Sequence, residues 1–407
     1  MSRVVMSMGM GVDSAALLLR WLLDPRSRDF DLSDLTVLTA MTGDEYTATR
    51  MLMEKYLLPV MAQHAVRYVM LARAGQSETA GYEVLSDSHS TSRMIMHGTR
   101  WRLSDEQTAA GVVPQQVRHR RFCSYRAKGQ VLDWWIADAL GGAAYRHVVG
   151  FAAEEVRRSS KDTSYTSAAR NPWYPLIEWG WDRQSCLAYL QDAFGVTWSR
   201  SCCGYCPFQA GPELDLLCQR WRNEPDRAEQ ALRLEYTAVA INPRSLLFGK
   251  KRSARQVAIL AGLRDLVEHV DADLAAQPWA IYDVRRAYPA RRLDKTKPSG
   301  LENRDSYAKG QGARSLEPVC VGTYDSTRAT VLAMGGQPEG EHQIVRAWTH
   351  RAGPPYPSRE AFLVAAPAGV PTKVGPAFPA VWAQAEDTPV AQFRDPWTSH
   401  LPLALAA

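Results

Sequence analysis

The sequence contains no apolar run long enough to cross a membrane. Its N-terminus lacks the basic, then apolar, then small-residue pattern of a secretory signal. Both absences predict a cytoplasmic protein with no membrane partner. A strong excess of one charge sign is lacking: Lys and Arg exceed Asp and Glu by only 5. That excess suits an anionic ligand but does not by itself imply nucleic-acid binding. Cysteine is sparse, with seven in 407 residues. An odd count without a secretion signal argues against a disulfide framework. There is no internal repeat and no long low-complexity tract, which argues against a solenoid.

What remains is an ordinary globular composition, 46% hydrophobic and 22% charged, long enough for two or three cored domains. The first stretch with chemical content is Arg3-Val4-Val5-Met6-Ser7-Met8-Gly9-Met10-Gly11-Val12-Asp13-Ser14. A short apolar strand runs into a glycine loop, and Ala15-Ala16-Leu17-Leu18-Leu19 opens a helix. Loop glycines let backbone N–H groups approach an anion, and the helix N-terminus adds its positive end. No Gly-Lys-Ser/Thr closes the loop in the Walker manner, and Ser14 stands where a dinucleotide fingerprint has its third glycine. An ordinary β-α turn with a Ser/Asp cap is the plain alternative.

Downstream, strands are expected at about 35–39, 66–71 and 145–150. Helices are expected at about 13–23, 46–58 (stopped near Pro59), 182–194 and 213–240. Strand–helix alternation predicts an α/β fold with a parallel sheet, whose ligands bind beyond the carboxyl ends of the strands. Ser7–Ser14 and Gly43-Asp44-Glu45 both fall there. Ser86–Ser92 reads as a mobile loop or lid. Three parts are expected: residues 1–200, a cysteine-bearing helical extension at 201–270, and a partly β accessory segment at 271–407, loose at 401–407.

Six pieces follow one another. They are the glycine loop, Gly43-Asp44-Glu45, Cys123-x4-Lys128, Gly150-x3-Glu154-Glu155-x2-Arg158, Pro175-Leu176-x2-Trp179 and Cys203-x2-Cys206-Pro207. In that order they resemble the PP-loop ATP pyrophosphatase (adenine nucleotide α-hydrolase-like) superfamily, in its phosphoadenosine-phosphosulfate-reductase-like branch. The nearest named relative is the ATP-pyrophosphatase component of DNA phosphorothioation systems. The resemblance spans about residues 3–207. Gly11, Asp13 and Ser14 match the loop pattern Ser-Gly-Gly-x-Asp-Ser, whereas Gly9 replaces its serine and Met10 its first glycine. Ala152 replaces an arginine usual in the family, which bears on substrate identity.

The resemblance implies a doubly wound sheet, ATP and Mg²⁺ binding, attack at the α-phosphorus and release of pyrophosphate. Ser7, Gly9, Gly11, Asp13, Ser14, Gly43, Asp44, Glu45 and Gly150 would form the nucleotide site. Ser14, Lys128 and Arg158 could take charge developing on the leaving group. Asp13, anionic beside phosphates, suits a helix cap, Mg²⁺ or a water. Asp44 and Glu45 suit a metal or ribose hydroxyls, or a cap on the following helix. A solvated face is the alternative for Lys128 and Arg158.

Two thiolates spaced as Cys203 and Cys206 can grip one metal centre. The family pairs a cysteine at the place of Cys123 with the later two. With Cys202 the four suit a [4Fe–4S] cluster, and arginines 118, 120 and 121 would offset its charge. Cys218 is a reserve ligand, and an iron left open to carry sulfur is a variant. Zinc and a redox dithiol are the alternatives. Cys186 and Cys320 read as ordinary cysteines. Trp134, Trp135, Trp179, Trp181 and Trp198 read as packing rather than a stacking surface.

The expected activity is ATP-dependent sulfur transfer. Reduction of phosphoadenylylsulfate or adenylylsulfate is disfavoured, since no cysteine follows Cys320 and no Glu-Cys-Gly-Leu-His motif occurs. A nucleic acid is the expected acceptor, and a cysteine desulfurase a suitable sulfur donor. A phosphoadenylylsulfate or adenylylsulfate reductase and a non-catalytic nucleotide- or nucleic-acid-binding module are the rivals. Arg285, Arg286, Arg291 and Arg292 around Tyr288, with Lys295 and Lys297, could neutralise phosphates and stack on a base. Lys250, Lys251, Arg252 and Arg255 form a second basic group.

Overall fold

Strands β1 (Arg3–Ser7), β2 (Leu35–Met41), β3 (Arg67–Arg73), β4 (Tyr82–Ser88), β5 (Tyr145–Val149) and β6 (Arg170–Trp173) form one sheet in the order β4-β3-β2-β1-β5-β6. The computed structural model describes residues 3–386 apart from 115, 118, 119, 250, 251, 295 and 299. Arg118, Lys250, Lys251, Lys295 and residues 401–407 therefore lie outside the described residues, as do the side chains of Arg120 and Arg121. Every neighbouring pair in the sheet is parallel except β3–β4.

Because side chains alternate along a strand, β1 contributes to two cores. Val4 and Met6 join Leu17, Trp21, Val37 and Met70 on one face, and Val5 joins Leu38, Val69, Leu132 and Ile136 on the other. Burial on both faces explains why the strands read as continuous apolar runs. The first face is covered by α1 (Val12–Leu23) and by α2 (Thr47–Leu52), which continues into α3 (Leu58–Gln63). The second is covered by α4 (Gln130–Leu140). Among the described residues, no helix is long and apolar enough to cross a membrane.

Several expectations are corrected. Pro59 does not end its helix: a π-helical turn, Met53–Leu57, precedes it and α3 begins at Leu58. Proline sits in the first turn of α3, where its missing N–H costs least. Residues 86–88 belong to strand β4, antiparallel to β3, rather than to a lid. The stretch 213–240 is two helices, α5 (Leu214–Asn223) and α6 (Pro225–Ile241), broken at Glu224. Residues 201–270, expected as a separate extension, fall within the first of two compact units, apart from 240–243.

The second unit takes in residues 240–243 and the described residues from 271 onward. Its centre is an antiparallel sheet of six strands built on Trp279–Tyr288, Ala313–Gly322 and Ser358–Pro367. This explains the short apolar runs of the C-terminal third. It also corrects the reading of the arginine run. Arg286 is buried and paired with Glu360 at 2.6 Å, and Tyr288 is only 6% exposed. Neither is presented to an external phosphate or base. Arg285 and Arg291 are exposed and face Asp283 and Asp305.

Candidate functional site

The loop leaves β1 at Ser7 and enters α1 with Gly11 as its N-cap, and no side chain caps this N-terminus. The first-turn N–H groups therefore lack the usual internal acceptor. Met10, at the pattern's first glycine, has φ +59°. It adopts the left-handed conformation that glycine takes without strain. Two contacts hold it there: its side chain is fully buried, and Trp198 Nε1 donates to its carbonyl at 3.1 Å. Position 10 thus holds a backbone conformation that glycine favours, despite carrying a side chain.

Gly150 follows β5 and lies flat against the start of α1. A Cβ there would stand 3.1 Å from Ser14 Cα and 3.2 Å from Ser14 N. Ser14 is buried, and its Oγ donates back to the Gly11 carbonyl at 3.2 Å. Gly9 lies beside it. Asp13 does not cap the helix. Its Oδ1 is buried without a hydrogen-bond partner, and its Oδ2 is 3.8 Å from Arg183. Burial raises its pKa against the opposing pull of Arg183. A buried carboxylate oxygen without a donor suits a cation or an ordered water.

Gly43-Asp44-Glu45 lies at the carboxyl edge of β2, and neither acid caps the helix that follows. Glu224 does so, accepting from Thr47 N at 2.7 Å and Ala48 N at 3.1 Å. Asp44 is fully buried and accepts four hydrogen bonds, from Ser104 N (2.9 Å), Ser104 Oγ (2.7 Å), Tyr205 Oη (2.6 Å) and Gln230 Nε2 (2.8 Å). The expectation that it holds a metal or a ribose is corrected: both oxygens are saturated by protein donors. Asp44 instead ties three distant segments together. Burial raises its pKa, and the bonds from Tyr205 and Ser104 oppose the rise.

Glu45 is also buried and accepts from Thr42 N at 3.2 Å. Lys128 Nζ stands 3.2 Å from its Oε1. Burial alone would lower the Lys128 pKa, but Glu45 and then Cys203 outweigh it and the net shift is upward. Lys128 is therefore held by a buried carboxylate, while about a third of its side chain stays exposed. It sits on a π-helical turn, Tyr125–Gly129, a geometry that occurs frequently at functional sites. Arg73 braces that turn. Fully buried, it donates to the Arg126 carbonyl and Gln130 Oε1, both at 3.0 Å.

The Cys-x2-Cys turn closes with Cys206 N donating to Cys203 O at 3.0 Å. It docks on the β2 edge: Glu45 and Cys203 form a β-bridge, Gly204 N donates to Asp44 O at 2.9 Å, and Cys203 Sγ is 3.2 Å from Thr42 Oγ1. Burial, then Glu45, raise the Cys203 thiol well above its usual range, and burial pushes Cys202 up to about 12. Buried thiols of this kind lose their protons readily only to a bound cation. Cys202, Cys203 and Cys206 therefore stand in one turn with the chemistry to bind a thiophilic metal, whereas Cys123 lies on Phe122–Ser124, just before the turn that carries Lys128. A tetrahedral zinc site spaces its sulfurs about 3.8 Å apart. Among the described residues, no three of these sulfurs come within 4.8 Å of one another. Among the described residues these sulfurs are therefore not preorganised for a tetrahedral zinc. Cys218 Sγ lies 4.0 Å from the Val257 carbonyl.

Arg158 is exposed and paired with Glu155, and its guanidinium lies 4.7 Å from the Phe151 ring centre. It acts on Asp13 through space. Beside the loop lies a cavity of about 410 Å³ whose lining includes Val12, Tyr46, Arg183, Trp198, Arg200 and Arg220. Arg220 donates to Gln209 Oε1 at 3.0 Å and reaches Cys202 Sγ at 3.7 Å. Trp135 and Trp198 are buried, and Trp179 and Trp181 flank Arg20 at 4.2 and 4.4 Å. These tryptophans pack within the fold.

Sequence reasoning missed Arg73, His147, Tyr205 and Glu224. Their roles depend on partners 53 to 177 positions away. Only Tyr205, inside the cysteine turn, carried any local signal. No protein-family model matches the chain, and no curated protein or solved structure matches it.

Proposed function

We propose that the first unit is a doubly wound, PP-loop-like ATP pyrophosphatase that transfers sulfur to a nucleic acid. An acceptor oxygen attacks the α-phosphorus of ATP. An oxygen–phosphorus bond forms and pyrophosphate leaves with its electron pair. A sulfur nucleophile then bonds to the activated atom of the acceptor, and AMP departs with the oxygen.

The observation that carries this reading is the docking of the Cys203–Cys206 turn on Gly43-Asp44-Glu45, beside Lys128. Residues 161 positions apart converge at the carboxyl edge of the sheet, from which the glycine loop also starts. The uncapped α1 N-terminus offers N–H donors for phosphate, and Lys128 is a positive charge paired with Glu45 at the edge of β2. Asp13 Oδ1 suits Mg²⁺ or its water. The arginine-lined cavity has room for a phosphate-bearing acceptor. Cys123, Cys202, Cys203 and Cys206 would hold a [4Fe–4S] cluster, which when bound supplies a centre able to carry sulfur.

The test is anaerobic purification with iron and acid-labile sulfide assays, then turnover of ATP with DNA or RNA and a sulfur donor such as a cysteine desulfurase. AMP plus pyrophosphate is expected. Release of ADP and phosphate would refute the pyrophosphatase reading. Stoichiometric zinc without sulfide would refute the cluster alone. Nucleotide binding without turnover would favour a non-catalytic module. Sulfite formed from phosphoadenylylsulfate or adenylylsulfate would favour a reductase.

A further inference from the structure

A line of hydrogen bonds runs beneath the loop through four elements. Asp162 Oδ2 accepts from Arg170 Nη2 at 2.7 Å, and from Tyr174 Oη at 2.8 Å. Arg170 Nε lies 2.6 Å from His147 Nδ1, and His147 Nε2 lies 2.8 Å from Ser7 Oγ. The polarity of the whole line follows from one fact. A guanidinium only donates, so Nδ1 must accept. The neutral imidazole then carries its hydrogen on Nε2 and donates it to Ser7. This is the reverse of a hydrolase triad, in which Nε2 takes a proton from the serine. His147 cannot act as a base toward Ser7 in this arrangement.

The consequence falls on the serine. Its oxygen is already an acceptor, so its own hydrogen must point elsewhere. His147 is its one protein partner among the described residues. Ser7 ends β1 at the carboxyl edge, two positions before Gly9. Gly9 stands where the loop pattern has serine, so the loop itself lacks that hydroxyl. The register permits the substitution. Val5 lies opposite His147 across β1 and β5, so His147 and Ser7 project from the same face of the sheet.

We infer that the Asp162–Arg170–His147 relay orients the Ser7 hydroxyl as an oxyanion donor to a phosphate of the bound nucleotide, with His147 a positioning residue. This rests on the proposed ATP site. It assigns to Ser7, from outside the loop, the hydroxyl that Gly9 cannot supply.

The experiment uses the full chain with ¹⁵N-labelled imidazoles and Mg-ATP. Nitrogen shifts should show His147 as the Nε2–H tautomer, and Mg-ATP should perturb that resonance. Ser7→Ala should weaken Mg-ATP binding roughly tenfold, the size expected for removing one bond to a charged acceptor. His147→Leu should do the same, while His147→Gln, which keeps an N–H near the Nε2 position, should recover most of the affinity. A merely structural histidine would give no such rescue. An Nδ1–H tautomer overturns the relay. So does a folded Ser7→Ala variant that binds Mg-ATP as the parent does. Failure of the parent to bind Mg-ATP overturns the nucleotide reading, and the phosphate role with it, whatever the tautomer.

Discussion

Lys128 Nζ lies 3.2 Å from Glu45 Oε1, joining a helix that carries Cys123 to the strand edge that carries Cys203. Glu45 is wholly buried, while about a third of the Lys128 side chain meets solvent. Removing the lysine strands a carboxylate in the interior, whereas removing both charges does not. Lys128→Met should therefore cost about 2–4 kcal/mol, discounted from the fully buried case for the exposure of the lysine. Lys128→Met combined with Glu45→Gln should recover about half of it. Urea midpoints of the two variants decide the matter, and equal destabilisation would mean that the charge pair is not what holds these two elements together.

Gly150 tests the loop without touching a charge. In Gly150→Ala the new methyl meets the Ser14 backbone at 3.1 to 3.2 Å, and neither α1 nor β5 can yield easily. Overpacking of this kind costs about 1–3 kcal/mol. The displaced α1 N-terminus should lower Mg-ATP affinity by much more than the drop in stability accounts for at a temperature where the variant is folded. Calorimetric titration on the folded variant checks this. Unchanged affinity would place the nucleotide away from α1.

His147 gives a pH signature. Burial first, and then Arg170, hold the imidazole at about 4 against an ordinary 6.5. The folded pKa is depressed, so as pH falls below 6.5 the unfolded chain takes up the proton first. Stability is present in full above that value and drains away until about pH 4. The share removed is roughly 3 kcal/mol. Urea midpoints at pH 7.5 and 4.5 should differ more in the parent than in His147→Gln. Equal differences would show that another group governs the acid limb.

The arginine run separates into two kinds of residue. Arg286→Ala should destabilise the second unit by about 3–5 kcal/mol, because it removes the guanidinium that pairs with buried Glu360 and donates to the Ile241 carbonyl. Replacing the exposed Arg285, Arg291 and Arg292 with alanine should leave the unit folded. If these three touch nucleic acid, the triple variant should flatten the salt dependence of duplex binding by about 0.9 for each phosphate that is no longer neutralised. Identical slopes in parent and variant would exclude this face as the acceptor site.

The sequence by itself determined the class of fold and the location of the loop. Apolar runs at 35–41 and 67–73 are long enough to specify strands buried on both faces, and the helices between them carry apolar residues at helical spacing. These are local signals, readable within a window of ten residues. The glycine loop was legible for the same reason. Tertiary structure decided what each polar residue does. Asp44 looked like a ligand and is a clasp, because Ser104, Tyr205 and Gln230 reach it from segments 60 to 186 positions away. Arg286 looked like a phosphate-binding residue and is an interior ion pair, because alternation along its strand turns it inward beside Glu360. Met10 looked like a flaw in the loop and keeps the left-handed turn, because Trp198 holds its carbonyl from 188 positions away. A buried polar group takes its role from whichever partner satisfies it. That partner is chosen by the packing of the whole unit, so a local stretch of sequence does not carry it.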